Sequence, residues 1–127
     1  ASPHYDDVVA EVHDFLAARV AACEAAGIAR ERLLVDPGFG FGKTVEHNYT
    51  LLRELRQLDA LGVPVLAGLS RKSMFGAVTG QPNGVARMPA SVAAAVLAVE
   101  RGARIVRVHD VAATKDALAV LAAINKD

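Results

Sequence analysis

Three short apolar runs, residues 33–35, 63–69 and 105–108, alternate with longer segments in which apolar residues recur every three or four positions, and this alternation restricts the fold more than any other feature. Val8, Val9, Val12, Phe15, Leu16, Val20 and Cys23 keep the longer spacing and Gly27 stands where a helix C-cap belongs, so a helix is predicted over residues 5–26. Leu51, Leu52, Leu55, Leu58 and Leu61, closed by Gly62, predict another. An Ala/Val segment at 89–101 ended by Gly102, and residues 114–124 with Leu118, Leu121 and Ile124 on one face, complete the helices. The apolar runs between them suit buried strands. The first is stopped by Asp36-Pro37, because proline cannot donate to a ladder and biases the preceding residue towards an extended backbone. Residues 79–84, Thr-Gly-Gln-Pro-Asn-Gly, read as a loop.

The resulting order, αβαβαβα, predicts right-handed crossovers and a parallel sheet buried on both faces. Three parallel strands make a poor free-standing sheet. A (β/α)₈ barrel takes about 250 residues, so 127 residues with three strands fit the C-terminal three βα units of such a TIM barrel, the N-terminal half missing. Residues 1–127 are then one portion of a single domain, with a doubly wound fragment as the alternative fold. The chain does not begin with methionine, which suggests a processed or truncated product.

Fourteen basic and fourteen acidic side chains cancel and no basic run appears, which argues against nucleic acid or an acidic membrane surface as a partner. No apolar run approaches the roughly 20 residues of a membrane span. Cys23 is the single cysteine, so no internal disulfide can form and a cytoplasmic location is expected. It lies on the apolar helix face and is expected to be inert core. His4, His13 and His47 have no spacing that suggests a metal site and are expected at the surface.

Ligands in parallel α/β folds bind beyond the carboxyl ends of the strands, so the residues found there decide the chemistry. The first strand delivers Asp36 and then a loop with Gly38, Gly40 and Gly42 between Phe39, Phe41 and Lys43. Glycines let a backbone approach a ligand closely and the aromatics offer flat apolar surface, which suits a planar heterocycle. Gly42-Lys43-Thr44 is not a P-loop, because Pro37 stands where the first glycine belongs, and G-x-G-x-G is not the dinucleotide spacing. The second strand delivers Gly68 and Ser70-Arg71-Lys72-Ser73. The third, by its two-residue period, puts Arg107 and His109 on one face about 7 Å apart.

A carboxylate can accept two hydrogen bonds from an amino-pyrimidine edge while a lysine donates to a ring carbonyl or nitrogen, which assigns Asp36 and Lys72. An arginine fork with a neighbouring histidine makes a phosphate or pyrophosphate clamp, which assigns Arg107 and His109. Blander readings stand beside each. Asp36 could simply begin a turn. Arg71 and Lys72 could be a solvated loop pair, the reading favoured for Arg71. His109-Asp110 could be a structural pair, and Phe39 and Phe41 could be ordinary packing.

The stretches Leu34-Val-Asp-Pro-Gly-Phe-Gly-Phe-Gly-Lys43, Gly68-Leu-Ser-Arg-Lys-Ser73 and Ile105-Val-Arg-Val-His-Asp-Val111 resemble the C-terminal motifs of the bacterial dihydropteroate synthase family, in the right order along the whole chain. The resemblance implies a pterin-binding (β/α)₈ barrel of the folate pathway that joins 6-hydroxymethyl-7,8-dihydropterin pyrophosphate to 4-aminobenzoate, forming 7,8-dihydropteroate and pyrophosphate, and that sulfonamides inhibit. Carried over by position, Asp36 and Lys72 would bind the pterin, with Phe41 and Gly68 lining its pocket. Arg107 and His109 would hold the pyrophosphate, with Arg107 also covering the pterin face, and Ser70 and Phe41 would border the 4-aminobenzoate site. Asp36, Lys72 and Arg107 would carry catalysis, Asp36 favouring a pterin cation left by departing pyrophosphate.

The resemblance also brings Mg²⁺ with the pyrophosphate, its protein ligand expected in the absent N-terminal half, and a homodimer through helices of this half. Two departures stand out. The N-terminal half and its mobile loops are lacking, so the fragment alone is expected to be inactive, and Ala86-Arg87-Met88-Pro89-Ala90 differs from the family pattern at the start of a helix. A folate-dependent methyltransferase pterin domain, and a non-catalytic or engineered half-barrel that binds pterin, are the other readings.

Overall fold

A computed structural model describes residues 4–126. Helix α1, Val8–Ala25, starts where the Asp7 side chain accepts from the Ala10 amide, and Glu11 accepts from the Asp7 amide in return. Each contact satisfies an amide that the first helical turn leaves without a partner. The helix buries Val8, Val9, Val12, Leu16 and Val20 as its spacing predicts, and the chain turns at Gly27 with φ +95°. Two residues of the predicted stripe depart from it: Phe15 is 65% exposed and Cys23 only half-buried. Cys23 lies beside Leu33 and Leu34, and Phe15 borders a separate hollow with Tyr5, Pro37 and Lys43.

The leucine pattern at 51–61 is not one α-helix. Helix α2, Val45–Arg53, gives way to a 3₁₀ helix, Leu55–Leu61, capped by Gly62 with φ +72°. Its leucines explain the change: Leu55, Leu58 and Leu61 recur every third residue, the period of a 3₁₀ helix, which stacks all three on one buried face. Helix α3, Ser73–Thr79, forms just before the predicted loop at 79–84, where the sequence pattern assigned no element, and buries Met74 and Phe75 before Gly80 ends it. Helices α4, Met88–Glu100, and α5, Val111–Ile124, follow the prediction closely and pack on each other. Pro89 stands in the first turn of α4, where a missing amide hydrogen costs nothing.

Strand β1 is Leu66–Ala67 and β2 is Ile105–Val106, paired parallel with Leu66 opposite Ile105 and Ala67 opposite Val106. The first predicted strand shortens to one parallel bridge between Val35 and Val65, made by the Val35 amide on Pro64 O and the Leu66 amide on Val35 O. The spatial order is therefore Val35, β1, β2, all parallel, with helical segments in the connections between them. Coverage differs from the prediction. Val35, Val65 and Ala67 are buried against the helices around Phe39, Leu51, Leu55, Leu58 and Met74. Leu34, Leu66 and Ile105 alternate onto the other face, which the described residues leave partly open, with Leu34 48% and Ile105 40% exposed. Among the described residues no helix is long and apolar enough to cross a membrane.

Candidate functional site

Register brings the polar residues together. Extending the ladder by one position sets Gly68 opposite Arg107, and the two-residue period puts Asp36, Gly68 and Arg107 on the same open face as Leu34, Leu66 and Ile105. Contacts agree with that register. Arg107 Nη1 lies 3.4 Å from Asp36 Oδ2, and a methyl group at Gly68 would come within 2.8 Å of Arg107 Cζ, so only glycine lets the guanidinium lie across β1. Beyond the strand ends, Phe41, Gly68, Ser70, Lys72, Arg107, Val108 and His109 line a hollow of about 240 Å³. Every candidate residue except Asp36 borders it directly, and Asp36 reaches it through Arg107.

Asp36 performs the turn as well. Its Oδ1 accepts the Gly38 amide at 2.8 Å while Oδ2 faces Arg107, so the bland and the chemical readings each hold one oxygen. Gly38, Gly40 and Gly42 all take positive φ, the conformation that favours glycine. The alternation sends the two aromatics opposite ways: Phe39 is wholly buried and Phe41 is 72% exposed. Asn48, itself buried on α2, accepts the Gly40 amide at 2.8 Å, and Lys43 donates to the carbonyls of Gly38 and Phe41.

Lys72 donates to the Phe39 carbonyl, and its Nζ stands 4.8 Å from the centroid of the Phe41 ring, a cation–π contact. Burial pushes its ammonium below the ordinary lysine pKa and Arg107 pushes it further, with Asp36 acting against both. Ser70 Oγ accepts the His109 backbone amide at 3.1 Å and lies 2.9 Å from His109 Nδ1. The Ser70 hydroxyl can donate to Nδ1 while accepting the amide, an arrangement that turns Nε2–H of His109 outward as a donor.

Arg71 is not a solvated loop residue. Nη2 and Nε donate to Asp110 Oδ1 and Oδ2 at 2.7 and 3.1 Å, and the pair is mostly buried, with the Arg71 side chain 25% and the Asp110 side chain 15% exposed. The fork holds the Asp110 carboxyl below the usual carboxylate range. The His109-Asp110 pairing considered from sequence is thus replaced by two cross-loop contacts. Arg87, within the 86–90 segment that departs from the family pattern at its neighbours, donates to the carbonyls of Arg71, Gln81 and Pro82. Of the other histidines, His4 is exposed, while His13 and His47 are half-buried; His47 accepts the Thr44 amide as part of a capping box on α2.

Sequence reasoning missed Asn48, Ser91 and Arg87. Asn48 and Ser91 left a signal, because each is a polar residue in line with a buried apolar stripe, Leu51 and Leu52 on α2 and Ala94, Ala95 and Ala98 on α4. Such residues need a hydrogen-bond partner nearby.

A family model described as pterin binding enzyme matches residues 1–109. The dihydropteroate synthase of Neisseria meningitidis serogroup C is 59% identical over 118 residues, 92% of this chain and 42% of the relative. The structure of Xanthomonas albilineans dihydropteroate synthase with 4-aminobenzoic acid is 58% identical with a TM-score of 0.97, covering 99% of this chain and 46% of that one; the same enzyme has been solved with 7,8-dihydropteroate. Yersinia pestis dihydropteroate synthase with a sulfonamide drug is 46% identical with a TM-score of 0.93, covering 97% of this chain and 44% of that one. The chain spans less than half the length of the curated relatives it matches. Its fold is part of a (β/α)₈ barrel, which accounts for the open sheet face.

Proposed function

The chain belongs to the pterin-binding enzyme family, and on that premise we propose that residues 1–127 are the C-terminal part of a dihydropteroate synthase, one portion of a single barrel domain. The intact protein joins 6-hydroxymethyl-7,8-dihydropterin pyrophosphate to 4-aminobenzoate. The observation that carries this reading is the hollow itself: a lysine, an arginine, a histidine and an aromatic ring meet over a glycine, with a carboxylate one contact away.

In this reading Arg107 exchanges its contact with Asp36 for the pyrophosphate and the pterin face. That leaves Asp36 Oδ2 to accept from the ring N–H groups while Lys72 donates to the ring carbonyl or nitrogen. Breaking the bond between the pterin methylene carbon and the bridging oxygen sends the electron pair to pyrophosphate, where Arg107 and His109 Nε2 meet the growing negative charge. The carboxylate of Asp36 favours the cation left behind. The arylamine nitrogen then forms the new C–N bond beside Phe41 and Ser70 and releases its proton. Sulfonamides would compete at that same edge.

Mg²⁺ would accompany the pyrophosphate, but the residues present do not make its site: among those described, no group of three or more His, Cys, Asp or Glu side chains stands together, and the anion end of the hollow is cationic. No step here is routed through the ion. A cytoplasmic homodimer is part of the same proposal, supported by Leu97, Val120 and Ile124, apolar residues left exposed on α4 and α5.

The test is calorimetry and pyrophosphate release on the intact protein. We expect turnover with both substrates, and Lys72→Ala to weaken pterin binding about a hundredfold, the worth of a charged hydrogen bond. Pterin binding without turnover would instead favour a non-catalytic module, and a methyl-transferring domain would bind pterin while ignoring the pyrophosphate.

A further inference from the structure

The loops after β1 and β2 are fastened by two successive side-chain contacts in step: Ser70 with His109, then Arg71 with Asp110. The second is a two-point ion pair. Arg71 makes it from φ +58°, the one positive φ among the described non-glycine residues. A branched or long side chain resists that conformation, so its surroundings must hold it. They do so on both sides of the peptide. The Arg71 amide donates to Ser91 Oγ at 2.7 Å, Ser91 donates to Arg87 O at 2.7 Å, and Arg87 Nη1 donates to the Arg71 carbonyl at 3.1 Å. Helix α4 thus closes a ring of hydrogen bonds around one strained residue. The strain reverses the chain between Ser70, which faces His109, and Lys72, which faces Phe39 and Phe41.

We propose that Arg71 and Asp110 are positioning residues for the reaction: their ion pair, with Arg71 held left-handed by Ser91 and Arg87, fixes Lys72 at the ring end and His109 at the phosphate end as one rigid unit. Neither carboxylate nor guanidinium borders the hollow, so they act through their neighbours in sequence. This inference rests on the synthase reading above.

The experiment compares wild type, Arg71→Gly, Asp110→Asn and the double variant of the intact protein. Glycine takes positive φ freely, so Arg71→Gly keeps the backbone and deletes only the pair. We expect each single variant to raise KM for the pterin pyrophosphate and to weaken inorganic pyrophosphate in calorimetry by about tenfold to a hundredfold, the range a small misplacement produces. KM for 4-aminobenzoate should change less than threefold, and the double variant should be no worse than the worse single. Arg71→Lys, which keeps the charge without the fork, should recover part of the loss. Variants that melt earlier with unchanged KM and pyrophosphate affinity, or whose two effects simply multiply, would overturn the positioning role. An inactive wild type that still binds pyrophosphate less well as Arg71→Gly would sink the synthase reading, and with it the role in the reaction, while the bracing of the anion site by the pair would stand.

Discussion

The two ends of the parallel strands carry hollows of unequal size, and the larger is at the end without the chemistry. Before β1 and β2, Asp59, residues 62–65, Gly102 and Arg104 border a hollow of about 400 Å³. After them, the hollow of about 240 Å³ gathers Lys72, Arg107, His109 and Ser70. The difference lies in how each end is built. At the first end Gly62 and Gly102 turn the chain with φ +72° and +108°, and what surrounds them are helix closures: Arg30 donates to Leu61 O, and Asp59 crowds Gly102. At the second end successive loops aim charged groups at a common point and brace them from behind. Space comes from any sharp turn, whereas convergent charge needs partners, and in barrels those sit beyond the strands' carboxyl ends.

Substituting a residue at each end tests that contrast. The largest effect should come from Gly68→Ala, whose methyl would overlap the Arg107 guanidinium and move it off β1. Pyrophosphate release by the intact protein should fall about a hundredfold with the melting temperature nearly unchanged; normal kinetics would mean that Arg107 is not needed where it lies. A smaller effect should appear on raising pH. Because burial and Arg107 hold Lys72 below its ordinary 10.5, pterin affinity should decline as pH climbs through that lowered value. Stability should move the other way. Between the folded pKa and 10.5 the unfolded chain binds more protons at this residue, so its contribution makes the fold more stable as pH rises. A Lys72→Met control separates this from other lysines. The smallest effect belongs to Arg104→Ala at the opposite end, expected to change KM and kcat less than about twofold and stability by no more than about 0.5 kcal/mol.

Much of this was legible in the sequence. Helical spacing placed α1, α4 and α5, the Asp-Pro stop placed Asp36 at a strand tip, and period-two alternation set together Arg107 and His109, which border one hollow. Where the reading failed, the deciding contact was distant. Phe39 and Phe41 could not be told apart, since both flank the same glycine; only the packing of Leu51, Leu55 and Met74 draws one inward. Arg71 looked solvated because its partner lies 39 residues away. Helix α3 was hidden by Gly76 inside it and turn residues after it, and forms because Met74 and Phe75 have core to enter. The buried second sheet face was predicted as if the barrel were whole.

The bracing of the two site loops differs in reach, and that has a consequence for how the mouth assembles. The glycine run 38–42 is secured by Asp36, Lys43 and Asn48, all within eight residues of their targets along the chain. The Ser70–His109 and Arg71–Asp110 fastenings must wait for a loop of 39 residues to close. Near partners meet sooner during refolding than far ones. The glycine-run lip should therefore be ordered before the lip fastened by Ser70–His109 and Arg71–Asp110, and pulse-labelled amides at Gly38 and Gly40 should gain protection from exchange ahead of those at Arg71 and His109.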